Sequence, residues 1–233
     1  KQIAKIKWAR TLSDRIGISY DEAKRKEREE EPNLPVVENL LDDRYDHIIV
    51  REEHDLLPPD NKWGFDMKVP EHKFNLGEVY NLGIGRGTLT EEDRYKVNDH
   101  IVQTIVMLES LPFPKHLKRV PEYAGGHHEK MDGTGYPKKL NGENMSLPAR
   151  IMAIADIFEA LTAADRPYKP PKKLSDSIKI MSFMKKDAHI DSDLFELFLR
   201  SGVHNKYAER FLQPSQIDEV DISQYLSDEG GDE

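Results

Sequence analysis

From Thr90 onward the apolar residues of this chain fall at helical spacing, whereas before it they alternate or scatter. In TEEDRYKVNDHIVQTIVMLESL, residues 90–111, Val97, Ile101, Ile105 and Leu108 recur every three or four positions, which predicts one face of an α-helix. Thr90 and Asp93 have capping-box spacing at its start, and Pro112 and Pro114 end it. LPARIMAIADIFEALTAAD predicts a second helix with Pro148 in its first turn, where a missing N–H costs little. That helix is apolar on nearly every side, which predicts burial all round. LSDSIKIMSFMKKD and DSDLFELFLRSG predict two amphipathic helices, the latter stopped by Gly202.

The first part of the chain reads differently. Residues 1–31 predict one or two polar helices, with Ile3, Ile6, Trp8 and Leu12 as a modest apolar face and DEAKRKEREEEP as a solvated charged run. NLPVVENLL predicts a short helix begun at Pro35. DHIIVREE and KWGFDMKVPE alternate like strands on either side of LLPPDN, as a hairpin or irregular ribbon would. The expected organisation is an all-α core over residues 75–213, a mixed helical and hairpin segment over 1–74, and an acidic tail over 214–233 that ends in the unstructured SDEGGDE.

Composition narrows the function classes. Of the 233 residues 33% are charged, the mean hydropathy is −0.70, and no apolar run reaches the roughly 18 residues of a membrane span. The absence of an export signal points to the cytoplasm. A net charge of −9 argues against broad DNA binding. The chain opens on lysine inside a helical pattern, so it reads as a piece of a longer protein. Cysteine is absent, so any metal site must use His, Asp, Glu and water, a donor set suited to Mn, Fe, Mg or Zn.

Several residues then become candidates for chemistry. Asp156 sits in the apolar stretch RIMAIADIFEALTAA, between Met152 and Ala160. A buried carboxylate there requires either an arginine partner or a metal ion. His100 lies beside Val97 and Ile101 at a core edge, as a structural imidazole or a ligand. His127 and His128 stand together in GHHEKMDGTGYP. On a helix their side chains would diverge by about 100°, a geometry suited to two neighbouring ions bridged by a group such as Asp156. Which histidine serves which ion stays open. DGTGYP is a turn in which Gly133 and Gly135 permit unusual backbone and Tyr136–Pro137 can form a stiff wall. In DRPYK, Arg166 and Lys169 suit phosphate or a guanine edge.

The ordered string RGTLTEEDRYKVNDH, HHEKMDGTGYP and ARIMAIADIFEALTAADRPYK resembles the HD-GYP family, HD-type phosphohydrolases that hydrolyse cyclic di-GMP. The resemblance implies an all-α, HD-type helical bundle around two or three metal ions, often iron or manganese. It implies His100, His127, His128 and Asp156 as metal ligands, and Gly135, Tyr136 and Pro137 as a substrate-binding signature loop. Arg166 and Lys169 would contact the dinucleotide, products would be pGpG or GMP, and an upstream sensor domain of the same protein would regulate the reaction. One feature departs from the pattern. The family's His-Asp pair precedes His100, and at the spacing of compact members that position holds Glu71 and His72. The one His-Asp dipeptide, His54–Asp55, lies in the loop-like REEHDLLPPDN. Either the pair lies upstream of Lys1, or the protein is a degenerate, non-catalytic dinucleotide-binding or interaction module. On either account this piece is expected to bind metal weakly and turn over little.

Overall fold

The computed structural model describes residues 2–57, 60–85, 87, 89–165 and 170–227. They form two compact units, residues 1–61 with 68–97, and residues 62–67 with 98–233. Residues 75–97 thus pack with the N-terminal segment, although the sequence reading grouped them with the helical core. Among the described residues no helix is long and apolar enough to cross a membrane.

In the first unit, strand β1 (Lys7–Arg10) runs antiparallel to β2 (Val36–Asn39), with Lys7 opposite Asn39 and Arg10 opposite Val36. Helix α1 (Tyr20–Lys26) lies between them in sequence, capped by Ser19, whose side chain accepts the Glu22 N–H. Strand β3 (Ile48–Ile49) pairs with β4 (Phe74–Asn75), and helix α2 (Glu78–Leu82) follows. Two expectations are corrected here. Residues 7–10 and 36–39 are strands rather than helices, because each supplies the other's backbone partners and Val36 and Val37 suit a pleat. The strand after residue 60 forms at Phe74–Asn75 rather than within 62–71.

The charged run also does more than face water. Lys26 is buried and pairs with Asp14 at 3.0 Å and Asp46 at 2.8 Å, while Arg44 reaches the same two carboxylates. Burial acts to raise the Asp14 pKa, but Lys26 and Arg44 overcome it and hold that carboxyl at about 2.

Helix α3 (Glu91–Glu109) carries the boundary between units, after Val97. Its capping box forms as the sequence predicts. Thr90 Oγ1 accepts the Asp93 N–H at 3.0 Å, and the Asp93 carboxylate accepts the Thr90 N–H at 3.2 Å. In the second unit follow α4 (Val120–Gly125), α5 (Leu147–Thr162), α6 (Leu174–Lys186), α7 (Ser192–Arg200) and α8 (Val203–Phe211). Gly202 adopts the left-handed conformation between α7 and α8.

Ile154 and Phe158 of α5 join Leu174, Ile178, Met181, Ile190, Phe195, Leu199 and Ala208 in one core. Residues 214–227 are not a trailing tail. Val220, Ile222, Tyr225 and Leu226 pack on this core, and Asp218 accepts hydrogen bonds from the Ser175 N–H and hydroxyl. The described part of the acidic segment is therefore built into the unit.

Helix α5 is two-sided rather than buried all round. Ala149, Ala153, Ile154, Phe158 and Thr162 are buried, whereas Ile151 and Met152 are 50% and 39% exposed. Asp156 lies on the exposed face.

Candidate metal centre

Three imidazoles meet in the second unit. On α3, Ile101, Val102 and Ile105 are buried while His100 is exposed, so the core fixes the rotation of the helix and turns His100 outward. Helix α4 ends at Gly125, and His127 and His128 occupy the turn that follows. One ligand atom from each of His100, His127 and His128 falls in a group spanning no more than 4.8 Å.

The expected divergence of the adjacent pair does not occur, because residues 127 and 128 are not helical. Their rings lie 4.1 Å apart at 43°. His128 Nε2 is 3.1 Å from His100 Nε2. Two nitrogens each about 2.1 Å from one ion lie no more than about 4.2 Å apart, so this pair is close enough to share one. His127 Nδ1 donates to the Ala124 carbonyl at 2.7 Å, which orients the ring and leaves Nε2 with its lone pair. Imidazole nitrogens with no thiolate beside them fit a borderline divalent transition ion.

The electrostatics agree. Burial lowers the His128 pKa to about 4, reinforced by His127 and His100 and opposed by Asp156. His128 is therefore a neutral, metal-competent imidazole at physiological pH. Asp156 acts on both His128 and Tyr136 through its charge, but it is outside the close three-histidine group. Asp156 is not the buried carboxylate that the apolar stretch predicts, since α5 presents it to solvent.

The glycine-rich stretch forms a loop against the same histidines. Tyr136 donates its N–H to the His128 carbonyl at 3.2 Å, and its ring stacks on the His128 ring at 4.9 Å and 20°. Gly135 is required by close approach. A Cβ there would lie 2.4 Å from Glu129 Cα and 2.5 Å from the Lys130 nitrogen. The peptide between Tyr136 and Pro137 is cis, and Pro137 is fully buried. Gly135 and Pro137 thus shape the loop from inside, and Tyr136 is the loop member placed against the imidazoles.

An HD domain model matches residues 35–194, more than half of the chain. The chain belongs to the HD domain family. The match begins upstream of residue 75, within the segment read as a separate N-terminal piece. The chain is 41% identical over 151 residues to a probable cyclic di-GMP phosphodiesterase of Vibrio cholerae, covering 62% of this chain and 34% of that protein. It is 40% identical over 128 residues to the 3'3'-cGAMP-specific phosphodiesterase 3 of the same organism, covering 52% and 26% respectively. A cyclic di-GMP phosphodiesterase of Thermotoga maritima is 34% identical over 93 residues, 40% of this chain and 25% of that protein. These matches span about a fifth to a third of the curated relatives' lengths, and they carry the HD-GYP resemblance drawn from the motifs.

Among the described residues of this HD domain chain, the close histidine group includes neither His54 nor Asp55. Arg166 and Lys169 lie outside the described residues. Asp55 pairs with Lys73 at 2.7 Å and accepts the Glu52 N–H, and the His54 side chain is exposed. That pairing commits the carboxylate to a lysine. Sequence reasoning missed Glu129, which is 1% exposed and accepts N–H bonds from Lys138 at 2.7 Å and Leu140 at 2.9 Å. Burial raises its pKa, and those donors pull it back. The available signal was a carboxylate immediately after two histidines and before a glycine turn, a pattern that reads as surface charge until the loop closes over it.

Proposed function

We propose that this chain is part of a metal-dependent cyclic dinucleotide phosphodiesterase whose metal ligands include His100, His127 and His128. The observation that carries the reading is the convergence of three imidazoles, with His127 tied to the Ala124 carbonyl and His128 held neutral. Asp156, which already acts electrostatically on His128, completes the proposed set. Iron or manganese suits these donors. When bound, such ions supply Lewis acidity, lowering the pKa of water and offsetting charge at phosphoryl oxygens.

The chain's own residues supply the rest. Neutral His128 needs no deprotonation near pH 7, and the fixed tautomer of His127 presents one nitrogen in one direction. Arg166 is assigned to a guanine edge and Lys169 to phosphate, as their donor geometries suit. The relatives' names include both cyclic di-GMP and 3'3'-cGAMP phosphodiesterases, so the substrate class is a cyclic dinucleotide containing guanine. Hydrolysis yields a linear dinucleotide and then mononucleotides. A cytoplasmic setting and a sensor domain in the same polypeptide complete the proposal.

A second reading, a dinucleotide-binding module without turnover, is favoured by one observation: the close ligand group among the described residues contains no carboxylate. Incubating manganese-loaded full-length protein with cyclic di-GMP, and resolving products by chromatography, separates the two. Linear product formation that is lost in His128→Ala supports the phosphodiesterase. Intact cyclic di-GMP that nevertheless binds the folded protein supports the module.

A further inference from the structure

We propose that Glu129 is the positioning residue of this centre, folding the 130–140 loop so that Tyr136 holds His128 in register with His100 and His127. The inference rests on the metal-centre part of the proposed function and concerns a side chain outside the imidazole group.

The first observation is a carboxylate with a purely internal task. Glu129 is 1% exposed, and a carboxylate so buried is costly unless its oxygens are satisfied. One oxygen accepts the Lys138 N–H at 2.7 Å and the other the Leu140 N–H at 2.9 Å. Both donors belong to the returning limb of the loop. The outgoing limb is held at the same place, because Gly135 lies against the backbone of Glu129 and Tyr136 donates to the His128 carbonyl. The loop therefore closes around the residue that follows His128.

The second observation is what the closed loop does. It lays the Tyr136 ring nearly parallel on His128, while His100 meets His128 edge-on at 5.0 Å and 83°. His128 has tyrosine stacked on it and two histidines as close neighbours, an arrangement that restricts rotation of its ring. A further tie acts on the loop's far side, where Asp66 donates its N–H to the Pro137 carbonyl at 2.7 Å and pairs with Lys139 at 2.9 Å. Each Glu129 oxygen is engaged by a backbone donor of the loop, and Glu129 is outside the three-histidine group. Its effect on metal passes through Tyr136 and His128.

The test uses Co(II) as probe with this chain, following visible absorbance and chelator competition, and far-UV circular dichroism for folding. Glu129→Gln points an amide NH2 at a backbone N–H. It is expected to weaken Co(II) about 10–100-fold, the range for residues that orient ligands, and to alter the absorption band with the helical spectrum retained. Tyr136→Phe keeps the stacked ring and is expected to bind like wild type, whereas Tyr136→Ala loses about tenfold. Unchanged affinity and spectrum in folded Glu129→Gln overturn the proposal. If Glu129→Gln does not fold, equal Co(II) affinity of Tyr136→Ala and Tyr136→Phe overturns it. A wild-type chain that binds no Co(II) overturns the metal centre as well, whereas wild-type binding with unaffected variants overturns this proposal alone.

Discussion

Replacing Gly135 with alanine would place a methyl 2.4 Å from Glu129 Cα, 2.5 Å from the Lys130 nitrogen and 2.6 Å from the Glu129 carbonyl carbon. Non-bonded carbons prefer about 3.5–4.0 Å, so the overlap exceeds about 1 Å. All three obstacles are backbone atoms, which cannot rotate away as a side chain would. Overpacking of this kind costs about 1–3 kcal/mol. In a chain of this size each kcal/mol lowers the melting temperature by about 2–4 °C. The expected loss is thus several degrees, and about 6–12 °C if the upper figure applies. Relief requires the loop to move away from Glu129, which takes Tyr136 off His128, so Co(II) affinity is expected to fall about tenfold with stability. Gly133→Ala is the control. Its backbone is left-handed at φ 77°, but a Cβ there meets nothing nearer than 3.6 Å, so it pays about 1–2 kcal/mol of conformational cost with metal affinity retained. Calorimetry and Co(II) titration of both variants decide the matter. A Gly135→Ala protein that melts within a degree of wild type and binds Co(II) equally well refutes the close-approach argument.

Other expectations address the centre and the core. Under the proposed ligand set His100→Ala deletes a ligand rather than a support, so Co(II) affinity measured by chelator competition should fall by more than the roughly 100-fold limit for supporting residues. Gln216, 3% exposed, donates to the carbonyls of Thr162 at 2.8 Å and Lys172 at 3.0 Å. Gln216→Ala leaves these acceptors unpaired and should destabilise the chain by about 1–3 kcal/mol in urea unfolding. His128 has its pKa lowered by burial to about 4, below the ordinary value of about 6.5. The unfolded chain therefore takes up the proton first, and metal-free stability should rise with pH between those values and fall as pH drops through that window. Burial lowers His189 and His204 too, so His128→Gln should reduce the slope of melting temperature against pH without abolishing it.

Much of the helical core was legible because its signals are local. Thr90 and Asp93 cap α3 through bonds spanning three residues, and the breakers at Pro112 and Gly202 act within a turn. The strands at Lys7–Arg10 and Val36–Asn39 were not legible, because each exists through backbone bonds to a segment far away in sequence. Lys26 read as one charge in a solvated run, yet it is buried between Asp14 and Asp46. Asp156 read as a buried charge in an apolar helix, yet only one face of α5 is covered. Periodicity gives the width of an apolar stripe but does not reveal how much of it a neighbour covers.

For the centre, sequence alone determined which donors were available, because a chain without cysteine that carries HHE and a glycine-rich GYP turn offers imidazole and carboxylate chemistry and no thiolate. It also determined that DGTGYP is a turn in which Gly133 and Gly135 permit unusual backbone, whereas the close approach of Gly135 to Glu129 belongs to the tertiary structure. Tertiary structure alone decided that His127 and His128 converge instead of diverging, that His100 joins them from α3, and that Glu129 faces inward. The physical reason is range. Propensity and capping act over a turn of chain, whereas the direction of a ring and the burial of a carboxylate are set by packing partners that local patterns do not encode.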